Sequence, residues 1–406
     1  CAGVKRTTGQ HPGGIVVLPA GDEITNYTPV QRPADDPGSD FVTTHFDYHA
    51  IENCLVKLDI LGHDDPTMIR LLTEMTGKDI WEIRLDDPAV LSLFQGPEAL
   101  GLDKAAAGVE TGTLGVPEFG TGFVRGMLMD TLPATFSDLL RISGFSHGTD
   151  VWLGNIRDIL RQKLGTMKEV IGCRDDIMLT LIQAGLEPRH GFRIMERVRR
   201  GKGLAREDEQ AMEEAGVPDW YIGSCQKIKY LFPKAHAVAY VTMAFRIAWF
   251  KIYEPLAFYA ATFSVRGGLD GLIAGGGLPA VEKAMGEIQV RREHKEASAR
   301  DEESYTSLEL AREMLLRGLA FAPVSLERSA AGRYLIEDGR LRIPFMALPG
   351  LGLEAAQGIV RARAEKPYRS AEDLRRRGRL GEKLTEALRQ YGALGDLPQS
   401  DQQSLF

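Results

Sequence analysis

Read along the chain, apolar positions alternate with polar ones early and then change period. Gly14–Pro19, Asp40–Asp47 and Cys54–Gly62 are short alternating or apolar runs set off by Pro, Gly and Asp, and predict strands joined by loops. From Asp65 the period becomes helical: Pro66 sits at a helix start, Met68, Ile69, Leu71, Leu72 and Met75 share a face, and Gly77 ends the segment. Further helices are predicted at Phe136–Ile142, Asn155–Lys163, Asp176–Ala184, Phe192–Arg200, Arg206–Ala215, Ser224–Leu231 and Ala237–Tyr253. Six glycines between Gly267 and Gly277 and the mixed-charge run Arg291–Glu303 read as a mobile or solvated transition and a domain boundary. After it come a helix at Ser307–Gly318 and a hairpin turning on Asp338-Gly339, the dipeptide that favours a type I′ turn. Leu348–Leu394 is helical again.

The length, 406 residues, allows two to four domains at about 100–200 residues each. With 44% apolar and 26% charged residues, most of the chain folds, and neither disorder nor a fibrous architecture fits. Val238–Trp249, interrupted by Arg246, falls short of the ~20 residues a bilayer requires, so no membrane partner is expected. Cys1, Cys54, Cys173 and Cys225 are scattered without a CxxC pair, which indicates neither zinc nor a disulfide framework and makes a reducing cytoplasm the default. A first residue that is Cys rather than Met reads as a piece of a longer protein. Net charge is −7, but Arg342–Gly395 carries eleven Lys/Arg against six Asp/Glu, so the positive field is segregated into the last helical stretch.

That stretch holds a chemical signal. Pro349-Gly350-Leu351-Gly352 before an apolar-periodic helix resembles a helix-hairpin-helix, whose loop glycines let backbone N–H groups meet phosphate at a helix N-terminus. Arg361, Arg363 and Lys366 would neutralise charge, and a weaker second copy turns at Gly381 and Lys383. The plain alternative is a glycine-capped helix pair with a solvated basic face. The terminal Gln402-Gln403-Ser404-Leu405-Phe406 places Leu405 and Phe406 on a tail with nothing of its own to bury them against; Gln402 would bond at the rim of a partner's pocket, the alternative being a tail packed back on its own domain.

Lys57 and Asp59 lie on one face of a strand, suited to a phosphate and a divalent metal, although an exposed Lys/Asp pair has the same pattern. His11 sits in a Gly-rich loop, Thr7–Gly14, that either holds a ligand or merely turns the chain. His45, Asp47 and His49 alternate as metal ligands would, without a further clustered donor, and Ser146, His147 and Asp150 lie too close together for triad geometry. Arg199, Arg200 and Lys202 end a helix; Lys234, His236 and Tyr240 begin another, where a cation and the helix terminus suit a triphosphate and an aromatic ring suits a base.

Together these segments resemble the C-terminal part of family C bacterial replicative DNA polymerases of the PolC type. The resemblance rests on VKRTTGQHPGGIVVLP, TTHFDYHAIENCLVKLDILGHDDPTMIRLL, GTLGVPEFGTGFVR, ISGFSHGTDVWLGN, VIGCRDDIM, FPKAHAVAYVTMAFRIAWFK and QQSLF, in that order. It implies a mostly α, α+β multidomain fold: the C-terminal part of a polymerase-β-like palm (1–64), helical fingers (65–265), a variable linker or helix (266–304), a small α/β unit (305–347), a tandem helix-hairpin-helix duplex-binding domain (348–395) and a clamp-binding tail (396–406). It implies that Asp59 is the third metal-binding aspartate and Lys57 a triphosphate contact, and places Arg199, Arg200, Lys202, Lys234, His236 and Tyr240 in nucleotide-binding segments. The implied partners are primer-template DNA, dNTPs, a sliding clamp and the upstream half of the same polymerase; the implied cofactor is Mg²⁺, with no zinc in this segment.

The family's first two catalytic aspartates, its phosphoesterase and exonuclease domains and its four-cysteine zinc element have no counterpart in these residues. Two-metal nucleotidyl transfer would then need carboxylates from outside the chain, and the chain alone is expected to be inactive. Two other readings compete: a non-enzymatic DNA-binding and clamp-tethering remnant, and a different phosphoryl-transfer enzyme using Asp59 with His45, Asp47 and His49.

Overall fold

The computed structural model describes residues 10, 11, 13–60 and 62–400. They fall into two units, divided between Asp64 and Asp65.

The first unit is built on two antiparallel ribbons. Strand β1 (Gly14–Val17) pairs with β4 (Val56–Asp59), setting Gly14 opposite Asp59, Ile15 opposite Leu58 and Val16 opposite Lys57. Strands β2 (Val30–Gln31) and β3 (Thr43–Thr44) form the second. All three strand expectations are met, though with shorter strands. Cross-strand partners share a face, so Ile15, Val17, Val56 and Leu58 form one apolar face, each side chain at least 41% exposed, while Val16, Lys57 and Asp59 form the other.

The second unit is mostly helical. Its first part comprises α1 (Asp64–Thr76), α2 (Pro88–Ser92), α3 (Lys104–Ala107), α4 (Gly122–Thr131), α5 (Phe136–His147) and α6 (Arg157–Arg161). There follow α7 (Arg174–Gln183), α8 (Pro188–Arg199), α9 (Arg206–Glu214), α10 (Asp219–Lys227), α11 (Lys234–Tyr253) and α12 (Pro255–Arg266). The start and stop signals explain the bounds: Gly77 closes α1 at φ 69°, a Thr135/Asp138 capping box opens α5, and Pro233 immediately precedes α11.

Residues 266–304, expected as a variable linker or helix, are largely helical. They form α13 (Gly271–Gly275), α14 (Gly277–Glu293) and the first turns of α15 (Ala299–Leu316). The mixed charges pair across the tip of this helical hairpin, Arg291 with Asp301 at 2.8 Å and Arg292 with Glu302 at 2.6 Å, and Arg292 lies 3.6 Å over the Tyr305 ring. A Ser298/Asp301 capping box restarts the chain as α15.

One buried polar network fixes α15 against the preceding helices. The Lys251 ammonium, fully buried in α11, donates to the Gly112 and Leu114 carbonyls at 2.7 and 2.6 Å and meets Glu313 of α15 at 2.7 Å. The Tyr259 hydroxyl of α12 donates to the same carboxylate at 2.7 Å. Burial lowers the Lys251 pKa to about 8 despite the Glu313 charge.

A three-stranded sheet, order β5-β7-β6, follows: β5 (Phe321–Ala322) runs parallel to β7 (Arg340–Arg342), and β6 (Leu335–Glu337) antiparallel to it. Asp338 and Gly339 both take positive φ, 49° and 72°, as a type I′ turn requires. The chain then runs into α16 (Leu353–Glu365), α17 (Ala371–Gly378) and α18 (Glu382–Gln390).

Candidate functional site

Three groups of candidate residues lie in different parts of the molecule. On the polar face of the β1/β4 ribbon, the Lys57 ammonium is 3.0 Å from the Asp59 carboxylate and 5.1 Å over the Tyr48 ring. The Tyr48 hydroxyl donates to the Leu55 carbonyl, which holds the ring in place. His11 joins this face: a Cβ at Gly14, the cross-strand partner of Asp59, would meet the His11 imidazole at 2.8 Å. The pairing register thus brings His11, Lys57 and Asp59 together, with Asp59 half exposed. Tyr48 was not singled out in the sequence, since nothing local marks a ring nine residues away as a lysine's support.

His45, Asp47 and His49 do not assemble. His45 Nδ1 meets the Gln31 side chain, His49 meets Glu52 at 3.1 Å, and Asp47 caps the His49 N–H. Among the described residues no group of three or more His, Cys, Asp or Glu is gathered to hold a metal.

The second group surrounds the start of α11. The loop after α8 is drawn against residues 229–231: Gly201, at φ 69°, packs so tightly on the Lys229 backbone that a Cβ would lie 2.6 Å from its carbonyl oxygen. Leu231 N–H donates to the Arg199 carbonyl and Arg174 N–H to the Phe232 carbonyl, which brings the ends of α8, α7 and α11 side by side. Arg199 and Arg200 both pair with Glu196, and that pairing holds the Glu196 carboxyl below its usual range. The Asp175 carboxylate accepts the Lys234 backbone N–H at 2.8 Å, while the Lys234 ammonium reaches Asp176 at 2.9 Å. His236 and Tyr240 follow on the same helix with their rings 4.8 Å apart; His236 and Lys202 are exposed. Arg174, Asp175, Asp176 and Glu196 are members of this cluster that sequence reasoning missed; the sole signal was the Arg-Asp-Asp run opening α7.

The third group is the pair of hairpins. Gly350 (φ 80°) and Arg379 (φ 53°) are left-handed, Leu351 and Leu380 after them are buried, and Gly352 and Gly381 are extended N-caps with ψ 164° and 160°. Both α16 and α18 therefore begin on glycine with no side chain capping their first N–H groups. The second copy, expected to be the weaker, is flanked by helices on both sides, whereas a single turn at Phe345–Ala347 precedes the first. Gly350 faces Leu384 of α18, so the two hairpins lie side by side.

Arg361, Lys366, Arg379 and Lys383 are exposed. Arg363 corrects the expected set of phosphate-facing cations: its guanidinium turns inward and donates to the Leu326 and Ser329 carbonyls, both at 2.9 Å, and burial lowers its pKa. Arg377, likewise, bonds Asp373 and the Lys366 carbonyl and lies 4.9 Å over Tyr368. Gln402, Leu405 and Phe406 lie outside the described residues.

Three family models match the chain in order: the bacterial DNA polymerase III alpha NTPase domain over residues 1–62, the bacterial DNA polymerase III alpha subunit finger domain over 65–217, and a helix-hairpin-helix motif over 318–404. The first two define the class, a bacterial DNA polymerase III alpha chain. Over its whole length the chain is 53% identical to the DNA polymerase III PolC-type of Caldanaerobacter subterraneus subsp. tengcongensis, 52% to that of Bacillus subtilis and 51% to that of Streptococcus thermophilus. The chain belongs to the PolC-type family within that class. It spans 28–29% of the length of these relatives. Among the described residues no helix is long and apolar enough to cross a membrane.

Proposed function

We propose that these residues work as part of a template-directed DNA polymerase that adds dNTPs to a primer 3′-hydroxyl. The observation that carries this reading is the ribbon: Asp59 and Lys57 project 3.0 Å apart from one face, with His11 beside them, while the opposite face is apolar and uncovered within the first unit. A single half-exposed carboxylate does not hold two Mg²⁺ ions, so Asp59 is one ligand of a pair completed by carboxylates outside this chain, from the upstream part of the polymerase. When bound, the ions neutralise the triphosphate and activate the primer hydroxyl. Cover for Ile15, Val17, Val56 and Leu58 comes from that same upstream part.

In the second unit, Arg199, Arg200, Lys202 and Lys234 form the cationic surface for the triphosphate, and His236 and Tyr240 offer rings to the base. The first N–H groups of α16 and α18, which no side chain caps, together with Arg361, Lys366 and Lys383, hold the phosphates of primer-template DNA without reading sequence. The tail bearing Gln402, Leu405 and Phe406 docks on a sliding clamp.

Primer extension tests the reading. The purified 406-residue chain is expected to bind duplex in a salt-dependent way yet extend no primer. The complete polymerase carrying Asp59→Asn is expected to keep duplex binding and lose extension. Extension by the chain alone that disappears on Asp59→Asn would overturn the shared metal centre; undiminished extension by the complete variant would remove Asp59 from it.

A further inference from the structure

Glu118 is a non-glycine residue with φ 65°, in a loop whose neighbours leave it little freedom. Val116 and Phe119 are buried, Phe119 N–H donates to the Pro117 carbonyl at 2.7 Å, and the Thr113 hydroxyl donates to the Phe119 carbonyl at 2.8 Å. A left-handed residue of this kind costs about 1–3 kcal/mol and persists where the surroundings or a function require it. Its side chain, 13% exposed, meets Nε2 of His147 at 3.0 Å. At the other edge of that ring, Nδ1 lies 2.9 Å from the Ser143 carbonyl and 3.1 Å from the Ser146 hydroxyl, which also lies 2.9 Å from that carbonyl.

A carboxylate beside Nε2 and a carbonyl beside Nδ1 both favour the protonated ring, the form in which His147 is an imidazolium. It stands in the last turn of α5, where the helix dipole favours a cation. The Glu118 partnership, followed by the Ser143 carbonyl, raises its pKa above 6.5, outweighing burial. Glu118 is the charged group acting on the ring; Phe232 from the segment before α11 covers its face, with His236 of α11 beyond.

The imidazolium is stacked on Phe232 at 4.6 Å and 22°. Phe232 meets His236 edge-on at 4.9 Å, and His236 meets Tyr240 at 4.8 Å. A continuous ladder of rings therefore runs from the Glu118 loop to the surface assigned above to the nucleotide base. We infer that Glu118 and His147 are positioning residues: Glu118 fixes the imidazolium, and the imidazolium fixes Phe232, His236 and Tyr240 in the orientation that receives the incoming nucleotide. The inference rests on the nucleotide-facing reading of α11.

Two measurements on the purified chain separate the inference from that reading. The first is imidazole NMR across pH 5–9. His147 is expected to titrate above 6.5, His236 ring signals to move with that step, and Glu118→Gln to lower the step and uncouple the two. The second is the affinity for a fluorescent dATP analogue. Losing a charged hydrogen-bonding partner predicts about tenfold weaker binding for Glu118→Gln and Glu118→Gly. Glu118→Gly also relieves the left-handed backbone, so its melting temperature should hold or rise while binding falls, a split that a merely structural residue would not give.

Wild-type affinity in both Glu118 variants, with binding weakened by Tyr240→Ala, overturns the positioning role and leaves the nucleotide surface standing. If Tyr240→Ala and His236→Ala also bind as wild type, or no binding occurs, the nucleotide reading falls and the NMR decides the ladder. A His147 step at or below 6.5, or His236 signals indifferent to it, then overturns the ladder too.

Discussion

The two units handle their apolar residues in opposite ways. Among the described residues of the first, Ile51 and Leu55 are the buried hydrophobic side chains, and the β1/β4 ribbon leaves one whole apolar face in solvent. In the second, the core is continuous from Met68 to Leu394, dense enough to take in Lys251 and Glu313 with every charge matched. Local alternation is enough to specify a ribbon, but a ribbon becomes a stable layer only when something packs on it. A candidate catalytic carboxylate thus sits on the less self-sufficient unit, and the nucleotide and duplex surfaces sit on the self-sufficient one.

The contrast is most sharply tested in the buried network. Lys251→Ala leaves the Glu313 carboxylate buried without its cation, and should destabilise the second unit by about 3–5 kcal/mol in a denaturant titration. The apolar double replacement Lys251→Met with Glu313→Leu should recover most of that loss; if it does not, the network does more than satisfy its own charges. Arg363→Ala comes next: it orphans the Leu326 and Ser329 carbonyls and should lower stability by about 1–3 kcal/mol with little change in the salt dependence of duplex binding. Arg361→Ala should do the reverse, reducing the salt slope by about 1 at unchanged stability. The smallest effect belongs to the ribbon. Ile15→Thr and Leu58→Thr should change the chain's stability by no more than about 0.5 kcal/mol, while reducing self-association in sedimentation. A large loss would mean that the first unit buries these residues after all.

The Asp338-Gly339 hairpin was legible in the sequence because a type I′ turn demands two positive φ angles and few dipeptides tolerate them. The second hairpin was legible from Leu380-Gly381, which repeats the leucine-glycine step of Leu351-Gly352 before a helix, and Lys57 with Asp59 from strict strand alternation. The helical hairpin of α14 and α15 was not, because glycine counting and charge density carry no information about which charges meet. Gly271, for one, is where it is because a Cβ would strike Ile343 at 2.8 Å, a contact across more than seventy residues. Lys251 reads as a surface lysine in any helical pattern, and its burial depends on carbonyls far earlier in the chain. The link between Glu118 and His147 was hidden likewise: the pair spans twenty-nine positions, and the unusual backbone angle at Glu118 leaves no trace in composition.

The glycine starts of α16 and α18 have one more consequence. Ser370 opens the intervening α17 by accepting the Asp373 N–H, and an N-cap of that kind contributes about 1 kcal/mol. The two neighbouring helices go without, so an anion supplied from outside would serve as their missing first residue. A polyanion that settles there should raise the melting point of this region as well as occupy it, making occupancy and folding two readings of one equilibrium.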